Sequence, residues 1–251
     1  MASSQEYKKR HPGWNYGGSN WKLSRSKIEM FLECPRCFYL DNKSGIRRPS
    51  MPPFNINNAV DTLLKKEFDT YRAAQKPHPI MVEHSVDAVP FAHKELATWR
   101  ENFEGVQIVH KPTGLVVSGA VDDLWVNPAG DVIIVDYKAT SKEEGINMDD
   151  AWKDGYKRQM EIYQWLLRQK GFKVADTGYF VYANALVNRD EFAGRLDFEL
   201  TLHPYTGNPD WVEETIVSIK KLLDSDKVPA RSKTCEHCAY CMTRVLETRK
   251  D

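Results

Sequence analysis

The stretch Gly119-Ala-Val-Asp-Asp-Leu-Trp-Val-Asn-Pro-Ala-Gly-Asp-Val-Ile-Ile-Val-Asp-Tyr-Lys-Ala-Thr-Ser-Lys142 places three charged residues around one short hairpin. Val116 to Val126 and Asp131 to Tyr137 are rich in β-branched and aromatic residues, and turn residues lie between them, which predicts two strands. Pro128 suits the first central position of a type I turn and Gly130 the left-handed position after it, giving a three-residue loop with a bulge. With Pro128-Ala129-Gly130 as the loop, Asn127 pairs with Asp131, and counting back sets Asp122 opposite Asp136. Cross-strand partners stand about 4.5–5.5 Å apart at Cβ, where like charges repel. Lys138 follows Asp136 by two residues and returns to the same face. Two carboxylates and an ammonium so gathered suit a hard divalent cation. A solvated sheet face carrying a salt bridge fits the hairpin equally well.

The remainder of the 251 residues predicts helices around this hairpin. Ser24 can cap a helix with Ile28, Phe31, Leu32 and Phe38 on its apolar side. After the Pro-rich connection RRPSMPPF, a second amphipathic helix is expected from Asn57 to Ala74 and a third near His93 to Phe103. A strand is expected near Gln107 to Lys111. A long helix from Met148 to Gln169 follows the hairpin. Strands at Thr177 to Tyr182 and Arg195 to Leu202 come next, then a helix from Asp210 to Leu223 and a cysteine-rich tail. The class is α/β, a central mixed sheet flanked by helices. Residues 1–22 are polar without a clear period and read as a flexible or lightly docked arm, and 23–251 as a single domain.

Lysine plus arginine and aspartate plus glutamate number 35 each, so the net charge is zero. That balance lends no support to a nucleic-acid partner, yet it leaves room for a local basic groove. The mean hydropathy of −0.56 is that of an ordinary globular chain. No apolar run reaches the length of a membrane span, and the N-terminus lacks a signal-peptide core, so a cytoplasmic protein is expected. The five cysteines fall in two clusters, Cys34 and Cys37 early, Cys235, Cys238 and Cys241 late. An odd count without a secretory signal argues against a disulfide framework and for one metal site joining the termini.

On the helix after the hairpin, YKRQMEIY sets Gln159 and Tyr163 four residues apart on one face. Alone, such a pair reads as a helix edge meeting water. In order, Gly119-x-x-Asp122, Asp136-Tyr137-Lys138 and Gln159-x-x-x-Tyr163 resemble the RecB-like branch of the PD-(D/E)XK nuclease superfamily. SRSKIEMFLECPRCFYL resembles that branch's opening signature, and the late cysteines resemble those of CRISPR-associated exonucleases and AddB-type nuclease domains. The resemblance runs from about Leu23 to Cys241 and implies a restriction-endonuclease-like core.

It further implies a metal-dependent DNA nuclease, an exonuclease on single-stranded or frayed ends. Asp122 and Asp136 would ligate Mg²⁺ or Mn²⁺ with the carbonyl of Tyr137, Lys138 would orient the attacking water, and Gln159 and Tyr163 would position the site. Trp14, Trp21 and Tyr156 are candidates for stacking bases, and Lys153, Lys157 and Arg158 for contacting phosphates. DNA is the implied partner, with protein partners in a recombination, repair or CRISPR-adaptation complex and a role in antiviral defence as further implications. A non-catalytic nucleic-acid-binding or adaptor protein on the same fold is the alternative.

Two departures from the family pattern stand out. The second helix reads NNAVDTLLKKEF, with Asp61 where the family carries a metal-binding His, so Asp61 is a candidate ligand or an ordinary helix carboxylate. Members with an iron–sulfur cluster have one early Cys and a late C-x2-C-x5-C group, whereas this chain has CPRC and CEHCAYC. Cys34, Cys235, Cys238 and Cys241 could hold a [4Fe–4S] cluster, the assignment that the resemblance favours. Cys34, Cys37, Cys235 and Cys238 could equally hold structural Zn²⁺.

Overall fold

The structure is a computed structural model, and it describes residues 7–50, 52 and 54–249. Residues 1–6 of the expected N-terminal arm lie outside the described residues. The chain divides into two compact units. One draws on residues 1–51, 109–117 and 213–251, the other on 52–108 and 118–212.

In the first unit lie β1 (Leu23–Ser24), α1 (Arg25–Glu33) and α2 (Pro35–Ser44). One continuous helix was expected here. Pro35 divides it, because proline has no N–H to give the preceding turn and disfavours helical backbone at the residue before it; Cys34 is extended, at φ −159° and ψ 103°. The N-terminal segment docks on α2. Arg10 Nη1 lies 2.9 Å from Asp41 Oδ1, and Trp21 Nε1 donates to Asn42 Oδ1 at 2.8 Å.

The second unit opens with α3 (Asn55–Ala74), α4 (Pro79–Glu83), β2 (Val89–Pro90) and α5 (Leu96–Trp99). Only a single turn of helix forms where 93–103 was expected to be helical. Next come β3 (Val106–His110) and β4 (Leu115–Gly119), in which the chain passes into the first unit and back. β5 (Asp123–Val126), β6 (Val132–Thr140), α6 (Asp154–Gln169), β7 (Thr177–Ala185) and β8 (Phe198–Thr206) complete this unit. α7 (Trp211–Asp224) leads out of it, and the tail read only as cysteine-rich forms α8 (Glu236–Glu247). Among the described residues no helix is long and apolar enough to cross a membrane.

The strand expected over 116–126 is two strands in different sheets, parted at Ala120–Asp122. β4 lies between β1 and β3, while β5 belongs to a five-stranded sheet of order β2-β5-β6-β7-β8. In that sheet β6 and β7 run parallel and every other pair is antiparallel. The parallel pair needs a crossover, which α6 provides. A central strand covered on both faces reads as an unbroken apolar run, and Val132 to Tyr137 is buried throughout. Leu64 and Phe68 of α3 pack with Trp125, Val135, Tyr137 and Val181, and the rings of Phe68 and Trp125 stack 5.7 Å apart. α6 covers the opposite face, where Asp136 and its alternate neighbours point.

Candidate active site and cysteine centre

The hairpin has the expected register. Asp123 pairs with Val135 and Val126 with Val132, which sets Asp122, one residue outside β5, opposite Asp136. The Asn127 N–H donates to Asp131 O at 3.1 Å, and Gly130 takes the left-handed conformation at φ +81°. Strand alternation then sorts the adjacent carboxylates. Asp122 stays partly open, while Asp123 turns into the core and is fully buried.

Asp122 Oδ2 accepts the Tyr137 N–H at 2.9 Å. Asp136 is fully buried; its Oδ1 accepts from Gln159 Nε2 at 2.6 Å, and its Oδ2 forms an ion pair with Lys138. Gln159 Nε2 also reaches the Tyr163 hydroxyl at 3.2 Å. The ring of Tyr163 fixes the residue at 119, because a Cβ added there would stand 2.7 Å from Tyr163 Cε1. Gly119, Asp122, Asp136, Lys138, Gln159 and Tyr163 are thus brought together within the second unit. Burial, opposed by the Lys138 ammonium and reinforced by the Asp122 charge, pushes Asp136 up to about 7.

α3 adds a second set of charges. Asp61, Lys65, Phe68 and Arg72 follow the four-three-four spacing of one helical face. Lys65 Nζ lies 2.8 Å from Asp61 Oδ2 and 3.8 Å from Asp122 Oδ1. Burial and the charge of Asp122 raise the Asp61 carboxyl, against the pull of Lys65. A cavity of about 290 Å³ opens here, lined by Asp61, Lys65, Asp122, Tyr137, Lys138 and Tyr156 among others. Its chemistry fits a hard divalent cation, because Asp61 and Asp122 both line it and crowded carboxylates are the oxygen ligands such an ion takes.

Lys65 and Arg100 were not expected at this site. Arg100 Nε donates to the Asp122 carbonyl at 3.0 Å, and its Nη1 lies 2.9 Å from both oxygens of Asp69. The four-residue spacing from Asp61 marked Lys65; nothing local in the sequence marked Arg100. Lys153, expected to contact phosphate, is instead fully buried, with its ammonium on the Asn147 carbonyl and 3.3 Å from Asp150 Oδ2. Lys157 lies 3.8 Å from Asp149 and from Asp154. Trp14 and Trp21 belong to the first unit.

The cysteines gather in the first unit. The sulfurs of Cys34, Cys37, Cys235 and Cys238 all lie within 4.8 Å of one another, with Cys34–Cys238 at 3.9 Å and Cys37–Cys235 and Cys37–Cys238 at 3.6 Å. Cys37 occupies the place expected for Cys241, which is exposed and outside the group. Burial disfavours a thiolate at Cys34, but backbone N–H groups of Ser232 and Cys37 and the neighbouring thiols bring it down to about 6. The quartet can hold one metal centre.

None of the curated proteins compared matches the chain. Among solved structures, the crystal structure of SSO0001 aligns at 16% identity with a TM-score of 0.31, over 88% of this chain and 91% of that one, a likeness too distant to inform the site. The match to the PD-(D/E)XK nuclease superfamily spans residues 22–243. It takes in the hairpin carboxylates, Lys138, the α6 pair and all the cysteines, and on that extent the chain belongs to the PD-(D/E)XK nuclease superfamily, whose members are metal-dependent nucleases.

Proposed function

We propose that the protein is a Mg²⁺- or Mn²⁺-dependent deoxyribonuclease that hydrolyses phosphodiester bonds from single-stranded or frayed ends. The observation that carries this reading is the convergence of Asp122, Asp136 and Lys138 at one end of the β5–β6 hairpin, backed by Gln159 and Tyr163. Asp122, Asp136 and the Tyr137 carbonyl would hold the divalent ion, with Asp61 as a further carboxylate ligand from α3. Bound there, the ion would lower the pKa of an attacking water and offset charge developing on the phosphate. Gln159 fixes the Asp136 carboxylate by holding one of its oxygens, and Tyr163 holds Gln159. Lys138, which pairs with Asp136, would orient the attacking water and stabilise charge developing on the phosphate oxygens.

We further infer that Cys34, Cys37, Cys235 and Cys238 hold one tetrahedral Zn²⁺. Zn–S bonds of about 2.3 Å set sulfurs roughly 3.8 Å apart; three of the six pairs here stand at 3.6–3.9 Å, and all lie within 4.8 Å. Ligands on four separate irons of a [4Fe–4S] cluster stand further apart.

The nuclease reading is tested with end-labelled single- and double-stranded DNA, with and without Mn²⁺. Mn²⁺-dependent release of short products from single strands is expected, and Asp136→Ala and Lys138→Ala should each abolish it with the fold intact. Wild-type cleavage rates from Asp136→Ala protein would overturn the assignment.

A further inference from the structure

β6 runs beyond Lys138 to Thr140 and continues into Lys142, whose main chain is held at both ends by one side chain. The Lys142 N–H donates to Asn184 Oδ1 at 2.8 Å, and Asn184 Nδ2 donates to Lys142 O at 2.9 Å. Facing it, a 3₁₀ turn at Ala151–Lys153 leads into α6. The buried ammonium of Lys153 anchors that turn to Asn147 and Asp150. On this fixed support stands Trp152, 56% exposed.

A chain of ring contacts joins Trp152 to the active site. Lys138 Nζ sits 4.6 Å from the centroid of Tyr156, and the Tyr156 and Trp152 rings meet edge to face at 5.7 Å. Lys142 Nζ stands 5.3 Å from the Trp152 centroid. The nearby charges are largely balanced, since Asp150 pairs with both Lys142 and Lys153. Simple attraction for phosphates therefore does not explain the surface. Lys153 Nζ lies 5.0 Å from the Trp152 centroid, yet 56% of Trp152 stays exposed. This half-open indole on an anchored turn, two contacts from the lysine of the reacting centre, is suited to a flat apolar group.

We propose that Trp152 is a stacking platform for an unpaired nucleobase adjoining the phosphodiester held at Lys138, with Tyr156 supporting the ring and Lys142 beside it. The inference rests on the nuclease reading above. Stacking of this kind accepts every base, because each has a π-face. It also adds no counterion release, so it leaves the salt dependence of binding unchanged.

The test is fluorescence anisotropy in EDTA, which prevents metal-dependent hydrolysis, with labelled oligothymidylate and an abasic strand of equal length. Trp152→Ala should weaken oligothymidylate binding about tenfold, with the same slope against salt, and Trp152→Phe should retain most of the affinity. The abasic strand should bind wild type and Trp152→Ala alike. Equal affinity of wild type and Trp152→Ala for oligothymidylate overturns the platform while leaving the nuclease reading standing. Equal losses on both strands also overturn it, because they would reflect a disturbed turn. Failure of wild type to bind either strand overturns the platform.

Discussion

Arg100 Nη2 lies 2.9 Å from Asp123 Oδ1, and the Nε of the same guanidinium donates to the Asp122 carbonyl. Arg72 Nη2 reaches that Asp123 oxygen at 2.5 Å, and the Tyr137 hydroxyl donates to the other at 2.6 Å. Asp123 is therefore a buried carboxylate met by two guanidiniums and a phenol, one residue from a carboxylate that faces the cavity. Removing one partner from such a cluster leaves buried charge uncompensated, at a cost of about 3–5 kcal/mol. Asp123→Ala should lose stability of that order in urea denaturation. Asp122→Ala leaves the Tyr137 N–H without its acceptor, so it should lose stability, by less than Asp123→Ala, and lose Mn²⁺-dependent cleavage. The reverse pattern would exchange the two roles.

Asp136 gives a pH-dependent consequence for the metal-free protein. Its folded-state carboxyl lies near 7, above the ordinary range, because burial outweighs the help of Lys138. A carboxyl raised on folding penalises the folded state once ionised; the penalty is absent below about pH 4, grows between pH 4 and 7, and is complete above. Asp136→Asn removes the penalty and still offers Gln159 an acceptor. Its melting temperature in EDTA should exceed that of wild type by more at pH 8 than at pH 5. Mn²⁺ should then raise the wild-type value and leave the variant unmoved.

Lys65 stands between Asp61 and Asp122, where a cation bound by both carboxylates would also stand. Metal binding must displace its ammonium. Lys65→Met keeps the length of the stem and removes the competitor, so calorimetry should show Mn²⁺ binding tighter by a factor of roughly 2–5, the scale of a partly exposed ion pair. Asp61→Asn should weaken binding, as expected of a ligand. Unchanged affinity in both variants would return the pair to an ordinary i, i+4 bridge on α3.

The hairpin was legible because its turn residues fix its register: once Gly130 takes the left-handed position, Asp122 must face Asp136. Gly119 and Tyr163 were legible as a motif, and the close approach of ring to backbone supplies its physical reason. Asp123 was harder. The alternation that turns it inward is visible in the sequence, but Arg72 and Arg100 reach it from distant elements that no local pattern connects. The break at Pro35 was written in the chain, yet the apolar spacing on either side continues the helical period across it. Lys153 misled for a statistical reason, since lysines are almost never fully buried unless paired. Here Asn147 and Asp150 supply the pairing from a loop whose path the sequence does not show.

The cysteine centre makes the sharpest discrimination between two readings of one sequence. Cys34 closes α1, Cys37 lies in the first turn and a half of α2, and Cys235 and Cys238 flank the start of α8. All four belong to the first unit, whose chain segments are otherwise far apart in sequence. Arg48 adds positive charge, with Nη2 4.0 Å from Cys235 Sγ, as a site of several thiolates requires. Protein purified without oxygen should be colourless and carry one equivalent of zinc by elemental analysis. Cys37→Ser should release that zinc and lower the melting temperature, whereas Cys241→Ser should change neither, because Cys241 is exposed and outside the quartet. A brown protein with absorption near 400 nm, lost in Cys241→Ser and kept in Cys37→Ser, would instead establish the iron–sulfur ligand set. That outcome would require the start of α8 to turn so that Cys241 replaces Cys37.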